Sequence, residues 1–226
     1  SRRFKHATAL SRLLKESVSA YVELLGQSDV QAHLKENGSL TVFETTSGYE
    51  ANRKDRALLR TLGARYDELN QHELVELEPA LAPIFPRAVY YHGCAQVVSP
   101  LGLCQALATQ IREAGGAIVR NEVHHAEVKA GGHISLFADD SEFECEALVV
   151  AAGAWSAEAA KWFDISVPLE TERGYHTTMS RLDIGLNRPI THGETNIGMV
   201  QLKEGLRFGG TVELAGLDAP PDYIRG

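Results

Sequence analysis

The chain of 226 residues is poor in several features that would place it quickly. It has three cysteines, Cys94, Cys104 and Cys145, widely spaced and odd in number. They make no Cys-x-x-Cys pair and no disulfide framework, so they read as buried, inert thiols of a reducing compartment. No apolar run reaches the roughly 18–20 residues that a membrane span requires. The opening Ser-Arg-Arg-Phe-Lys-His lacks the apolar centre of a signal peptide, and no initiating Met precedes it. A processed or excised chain is expected. Positive charge is in deficit, with 22 Lys and Arg against 30 Asp and Glu and a net charge of −8. That argues against a nucleic-acid surface, although small anions held by backbone amides stay admissible.

Recognisable catalytic signatures are missing too. There is no Gly-x-Ser-x-Gly and no P-loop. His124 and His125 are adjacent, so a strand would point them to opposite faces, and no His-x-x-x-His or Cys/His cluster appears. No metal site is expected. Carboxylates are plentiful but unpaired by pattern, and the catalytic residues stay unassigned. His176, beside Tyr175, reads either as an acid–base group or as a packed histidine.

What is present centres on Ala147 to Ser156, Ala-Leu-Val-Val-Ala-Ala-Gly-Ala-Trp-Ser. An uncharged aliphatic run suits a strand buried on both faces of a parallel sheet. Gly153 breaks the run, and Ser156 is placed to cap a helix through Trp162 with Glu158 in its first turn. A strand, a small-residue turn and a helix in that order can bring a phosphate group against the backbone. The same pattern also fits a plain buried strand with a glycine turn.

Along the rest of the chain, Phe4, Ala7, Leu10, Leu14, Val18, Tyr21 and Leu25 predict one amphipathic helix ending at Gly26, its apolar stripe toward a core. Ser39 to Phe43 reads as a strand. Tyr49 to Leu62 reads as a helix whose Arg53, Lys54, Arg56 and Arg60 form a solvated face. Asn70 and Glu73 approach a capping box, and Ser99-Pro100 opens a helix that Gly115-Gly116 ends. Short strands are expected over Ala117–Arg120, Val123–Lys129, His133–Ala138, Phe143–Cys145 and Gly174–Ser180. Asn196–Lys203 and Leu206–Leu214 read as a hairpin.

Several segments together resemble the FAD-dependent D-amino acid oxidase superfamily. They are Gly38 to Phe43, Leu77-Glu-Pro-Ala-Leu81, Leu107 to Ala117, Ala147 to Trp155, Pro168 to Tyr175 with its Arg-Gly-Tyr, and Leu206-Arg-Phe-Gly-Gly-Thr-Val-Glu213. The likeness is greatest to small-subunit-type D-amino acid dehydrogenases and to glycine and sarcosine oxidases. It implies a mixed α+β fold, with a substrate-binding mixed or antiparallel sheet beside part of a Rossmann-like FAD domain. Residues 1–98 and 164–226 would form the substrate domain and 99–163 part of the FAD domain. By the same resemblance Ala152, Gly153, Ala154 and Trp155 line the FAD pyrophosphate region, and the Val123 backbone meets the adenine. Tyr175, Asn196 and Met199 would face the substrate.

The implied reaction oxidises the α-carbon of an amino acid, a D-amino acid foremost, by hydride transfer to flavin. The imine hydrolyses to a 2-oxo acid and ammonia, and electrons pass to a quinone or dioxygen. The implied location is cytoplasmic, with peripheral contact at the inner face of a membrane. A glycine- or sarcosine-type amine oxidase and a non-catalytic module without flavin are the alternatives. The chain lacks the family's amino-terminal Gly-x-Gly-x-x-Gly strand and its carboxyl-terminal Gly-x-Arg-Pro segment, whose arginine holds the substrate carboxylate. It is therefore expected to be a middle portion that holds FAD weakly and does not turn over alone. Oligomeric state is left open.

Overall fold

Residues rich in β-branched and aromatic side chains, Ser39 to Phe43 and Arg87 to Tyr91, pair antiparallel along their full length. The structure, a computed structural model, describes residues 2–225, and the side chains of all of them except 27–31. Its helices are α1 (Arg2–Leu14), α2 (Ser17–His33), α3 (Thr46–Ala51), α4 (Arg53–Thr61), α5 (Gln71–Leu77), α6 (Pro100–Glu113) and α7 (Ser156–Lys161). The strands of the first half are β1 (Leu34–Lys35), β2 (Ser39–Phe43), β3 (Tyr66–Asn70), β4 (Arg87–Tyr91) and β5 (Gln96–Val97). Those of the second half are β6 (Val123–Val128), β7 (Ile134–Ala138), β8 (Ser141–Cys145), β9 (Arg173–Ser180), β10 (Ile190–His192), β11 (Gly198–Leu202) and β12 (Gly205–Glu213). The fold is mixed α and β, as the sequence implied. No described helix is long and apolar enough to cross a membrane.

The chain divides into two compact units, one of Ser1–Glu113 with Tyr175–Thr211 and one of Ala114–Gly174 with Val212–Arg225. The larger unit carries a seven-stranded sheet in the order β3-β4-β2-β10-β11-β12-β9. Here β2 and β10 run parallel, while β10–β11 and β11–β12 are antiparallel. One face packs Leu40, Val42, Ala88, Ile190 and Leu206 against Leu74 and Leu81 from α5 and the loop after it. Asn70 caps α5 through a complete capping box with Glu73. The smaller unit holds the antiparallel meander β6-β7-β8.

A buried ion pair closes the larger unit. Glu78 is fully buried, and Arg188 donates to its Oε2 at 3.1 Å. Both the backbone N–H and the side-chain amide of Asn187 donate to Oε1 at 3.0 Å. Arg188 also donates to the Leu77 carbonyl at 2.5 Å and the Asn37 carbonyl at 3.2 Å. These contacts fasten the 185–189 loop just before β10, and Leu40 N–H then bonds the Pro189 carbonyl at 2.9 Å. At the far end of β10, Glu194 accepts from the Thr45 N–H at 3.1 Å and the Thr45 hydroxyl at 3.2 Å. The parallel pairing of β2 with β10 is thus pinned at both ends.

Several expectations are corrected. The first helix is two: a turn at Lys15–Glu16 separates α1 from α2, and α2 continues past a kink at Gly26 with φ 70. None of the side chains of α1 is buried; of the expected stripe only Val18 and Leu25 reach a core, joined there by Val22, Leu34 and Leu103. Phe4, Leu10 and Leu14 stay exposed because no described element covers that face. The helix over Tyr49–Leu62 breaks at Asn52 into α3 and α4. Arg56 is not on a solvated face. It is 3% exposed, lies 3.8 Å over the Tyr49 ring and donates to the Tyr49 carbonyl at 2.6 Å. Ala117–Arg120 and Ala147–Ala152 form no strand, and Val149 is 86% exposed. Both are strand-like sequences with no neighbouring strand to pair with among the described residues.

Removing one partner of the buried pair leaves an uncompensated charge, which costs about 3–5 kcal/mol. Glu78→Ala is expected to lower the unfolding free energy by about that amount in urea denaturation. A loss below about 1 kcal/mol would mean that water reaches Arg188 and that the pair does not hold the loop.

Candidate functional site

In the smaller unit a tight turn follows the extended Ala147–Ala152 segment. Gly153 takes φ 56, a left-handed value that glycine adopts without a Cβ clash, and Gly153–Trp155 forms a single 3₁₀ turn. The turn runs straight into α7. Ser156 is therefore the first helical residue and makes no side-chain cap, contrary to the expectation; Trp155 occupies the cap position. Ala159 and Ala160 bury the inner face of α7.

This turn borders a cavity of about 730 Å³. Val123, Ala152 and Trp155 all line it, so three of the five residues assigned to FAD converge on one space. Gly153 and Ala154 lie in the turn itself and are not part of the lining. The wall residues that sequence reasoning left unassigned include Asn121, Glu122, Leu136 and Trp162. Trp162 is steadied from behind by His125, edge-on to its ring at 6.2 Å, and His125 stacks on Phe137 at 5.9 Å. A 37-residue separation between the two partners leaves no local signal for that contact. Apolar walls, two indoles and a small-residue turn fit a flat nucleotide cofactor better than a metal. Among the described residues no three His, Cys, Asp or Glu side chains group as a metal set.

Asp139 shapes the entry to Val123. Its Oδ1 lies 2.9 Å from His124 Nε2, and its Oδ2 accepts from the Glu122 N–H at 3.4 Å. The His124 contact first, and then the Glu122 amide, hold the Asp139 carboxyl below its ordinary value of 3.8.

The substrate-side candidates lie in the larger unit, and they do not all converge. Tyr175 is buried in β9, and Asn196 is exposed in the β10–β11 turn at φ 60. Both flank Gly209–Gly210. A Cβ at Gly209 would fall 3.5 Å from the Tyr175 carbonyl, and one at Gly210 would fall 2.6 Å from the Asn196 carbonyl. Met199 borders a second cavity, of about 430 Å³, but its register with Ile190 and Phe208 turns its side chain to the core face. His176, the acid–base candidate, sits on exposed β9 with its Cβ 3.3 Å from the position a Gly209 Cβ would take.

The sequence profile of the DAO family, FAD dependent oxidoreductase, matches residues 1–225. A D-amino-acid oxidase of Bradyrhizobium diazoefficiens is 29% identical over 98% of this chain and 52% of its own length. A D-amino acid dehydrogenase of Chromohalobacter salexigens is 31% identical over 81% of this chain and 45% of its own. The chain spans about half the length of the curated relatives it matches. In three dimensions it is similar to glycine oxidase from Geobacillus kaustophilus, with a TM-score of 0.69, 22% identity and coverage of 94% of this chain and 56% of that one. It is also similar to L-proline dehydrogenase from P. horikoshii, with a TM-score of 0.74, 16% identity and coverage of 92% and 58%. The family match spans both the larger mixed sheet and the small-residue turn. The chain belongs to the DAO family.

The Asp139 contacts carry a pH signature. Its native carboxyl binds a proton less readily than the unfolded one, so the contacts contribute in full above pH 3.8 and fade as pH falls through the lower native value. The Glu122 amide resonance is expected to shift in that acid range, and to stay flat in Asp139→Asn. The same titration in both proteins would exclude the contact.

Proposed function

We propose that the protein carrying these residues oxidises amino acids, D-amino acids foremost, to imines that hydrolyse to 2-oxo acids and ammonia. The observation that carries the reading is the family match over residues 1–225, with its named D-amino acid oxidase and dehydrogenase relatives. FAD, when bound, supplies the ring that takes the hydride from the α-carbon. The chain's own part is to hold and orient.

In this reading residues 99–163, which carry the turn and the meander, belong to the FAD domain, and residues 1–98 and 164–226 to the substrate domain. Ala152 and Trp155 edge the cofactor, Gly153 and Ala154 keep the turn free of bulk, and Val123 meets it from the meander; the shared cavity supports this grouping. Tyr175 and Asn196 are the substrate-side residues, with Met199 bordering them by its backbone while its side chain packs on the core. A quinone or dioxygen takes the electrons. The location is cytoplasmic and peripheral to an anionic membrane, supported by α1, where Phe4, Leu10, Leu13 and Leu14 are exposed among Arg2, Arg3, Lys5 and Arg12.

The test is a dye-linked assay on the protein carrying this chain, alongside FAD titration into the 226 residues followed by flavin fluorescence. D-amino-acid-dependent dye reduction with release of a 2-oxo acid is expected. Oxygen uptake without dye would make the acceptor dioxygen. Turnover of glycine or sarcosine alone would replace the D-amino acid reading with the amine oxidase, and a protein that binds no flavin would overturn both. Trp155→Ala is expected to weaken FAD binding by about tenfold, the loss of one aromatic contact; unchanged binding would remove Trp155 from the site.

A further inference from the structure

Four glycines stand in β11 and β12, and the surrounding backbone accounts for three of them: at Gly205, with φ +144, a Cβ would collide with the Met179 carbonyl. At Gly210, with φ +154, a Cβ would fall 2.6 Å from the Asn196 carbonyl and 2.8 Å from Ile197 Cα. At Gly209 a Cβ would press to 3.3 Å on His176 Cβ. Gly198 is different. Its φ lies outside the left-handed range, and a Cβ there would meet nothing nearer than the Gly209 carbonyl at 3.5 Å and the Ile190 carbonyl at 3.9 Å, which are ordinary contacts. A strand glycine weakens the strand, and where packing does not demand it, it marks a place where something outside approaches the backbone.

Something has room to do so. Gly198 shares its sheet face with Thr191, Val200, Arg207 and Gly209, since Thr191, Gly198 and Gly209 are in register across three strands and Val200 faces Arg207. This face forms the floor of the cavity of about 430 Å³. Gly198 and Gly209 leave two neighbouring strands bare at the same level. Val97, Pro100 and Val200 supply apolar walls.

At one end stands a single cation. Arg207 Nε donates to the Thr178 hydroxyl at 3.3 Å, and among the described residues the guanidinium forms no ion pair. For Glu204 the Arg207 charge ranks behind hydrogen bonding as a lowering influence. That carboxylate is occupied by the Ser99 hydroxyl and by its own backbone N–H, which hold it below the usual glutamate range. A half-buried guanidinium stays charged and is stabilised by a carboxylate that can meet its planar fork. An apolar trough with one uncompensated guanidinium matches an organic carboxylate with a bulky apolar body.

We propose that Gly198 is a specificity-determining residue: it opens the trough to amino acids with large apolar side chains, which lie over the bare Gly198–Gly209 backbone while Arg207 meets the carboxylate. The inference rests on the amino-acid-oxidising reading for the nature of its ligand. Arg207 is then a guanidinium of this chain's own, additional to the arginine that the family likeness places in the Gly-x-Arg-Pro segment.

The experiment compares D-phenylalanine with D-alanine as substrates of the protein carrying this chain. In parallel, 3-phenylpropanoate is titrated while the amide resonances of residues 198 and 209 are followed. The unsubstituted protein is expected to favour D-phenylalanine in kcat/KM. Gly198→Val should lower that value about tenfold or more, the scale at which a few methylenes discriminate, and leave D-alanine within about threefold. Gly198→Ala, which fits without displacing any neighbour, should give an intermediate loss. Arg207→Gln should weaken 3-phenylpropanoate binding about tenfold. Equal losses for both substrates in both Gly198 variants would overturn the proposal, as would 3-phenylpropanoate leaving the two amides unmoved. If the protein oxidises no amino acid, but 3-phenylpropanoate shifts these amides and Gly198→Val abolishes the shift, the oxidase reading fails while the trough and its ligand class stand.

Discussion

A carboxylate with no exposed surface must be answered by charge and hydrogen bonds, or it unfolds its surroundings. Glu78 receives that answer from the two residues immediately before Pro189: Asn187 gives it two N–H donors and Arg188 one. The requirement acts at long range along the chain, since Glu78 ends one helical segment and its partners precede β10 by only a few positions. Once Arg188 is held, β10 can lie only beside β2, and β11 and β12 follow by antiparallel pairing. The floor of the trough over Gly198 is therefore positioned by an ionic contact on the core side of the same sheet. Sheet order, core and candidate substrate surface depend on a single satisfied burial.

What could be read from the sequence was what is decided locally. Asn70 with Glu73, and Ser99 before Pro100, mark helix starts because caps are satisfied within one turn. The hairpin of β11 and β12 follows the expected segments, with β12 starting one residue early at Gly205, since its turn and its alternation are contiguous. Strand β10 was not read: three residues, Ile190 to His192, carry too little pattern, and their pairing is with a strand about 150 residues earlier. Arg56 looked solvent-facing because charge in a helix usually is, and its burial depends on the Tyr49 ring supplying a face for the guanidinium.

The candidate sites divide in the same way. The turn at Gly153 was legible because small residues and a left-handed glycine are local properties. Trp162 and Leu136, which complete the cavity beside it, come from other elements and announce nothing in the sequence. The four glycines of β11 and β12 look equivalent as letters. Only the distances a Cβ would make separate the three that their neighbours demand or crowd from the one they leave open.

The extended segment Ala147–Ala152 pairs with no strand among the described residues and carries apolar side chains, with Val149 86% exposed. Such a segment is a template for strand addition, and in a concentrated solution of this chain the nearest strand belongs to another molecule. A lysine at position 149 would act on solubility with almost no folded contact to lose, and the same substitution would obstruct any strand that normally lies there.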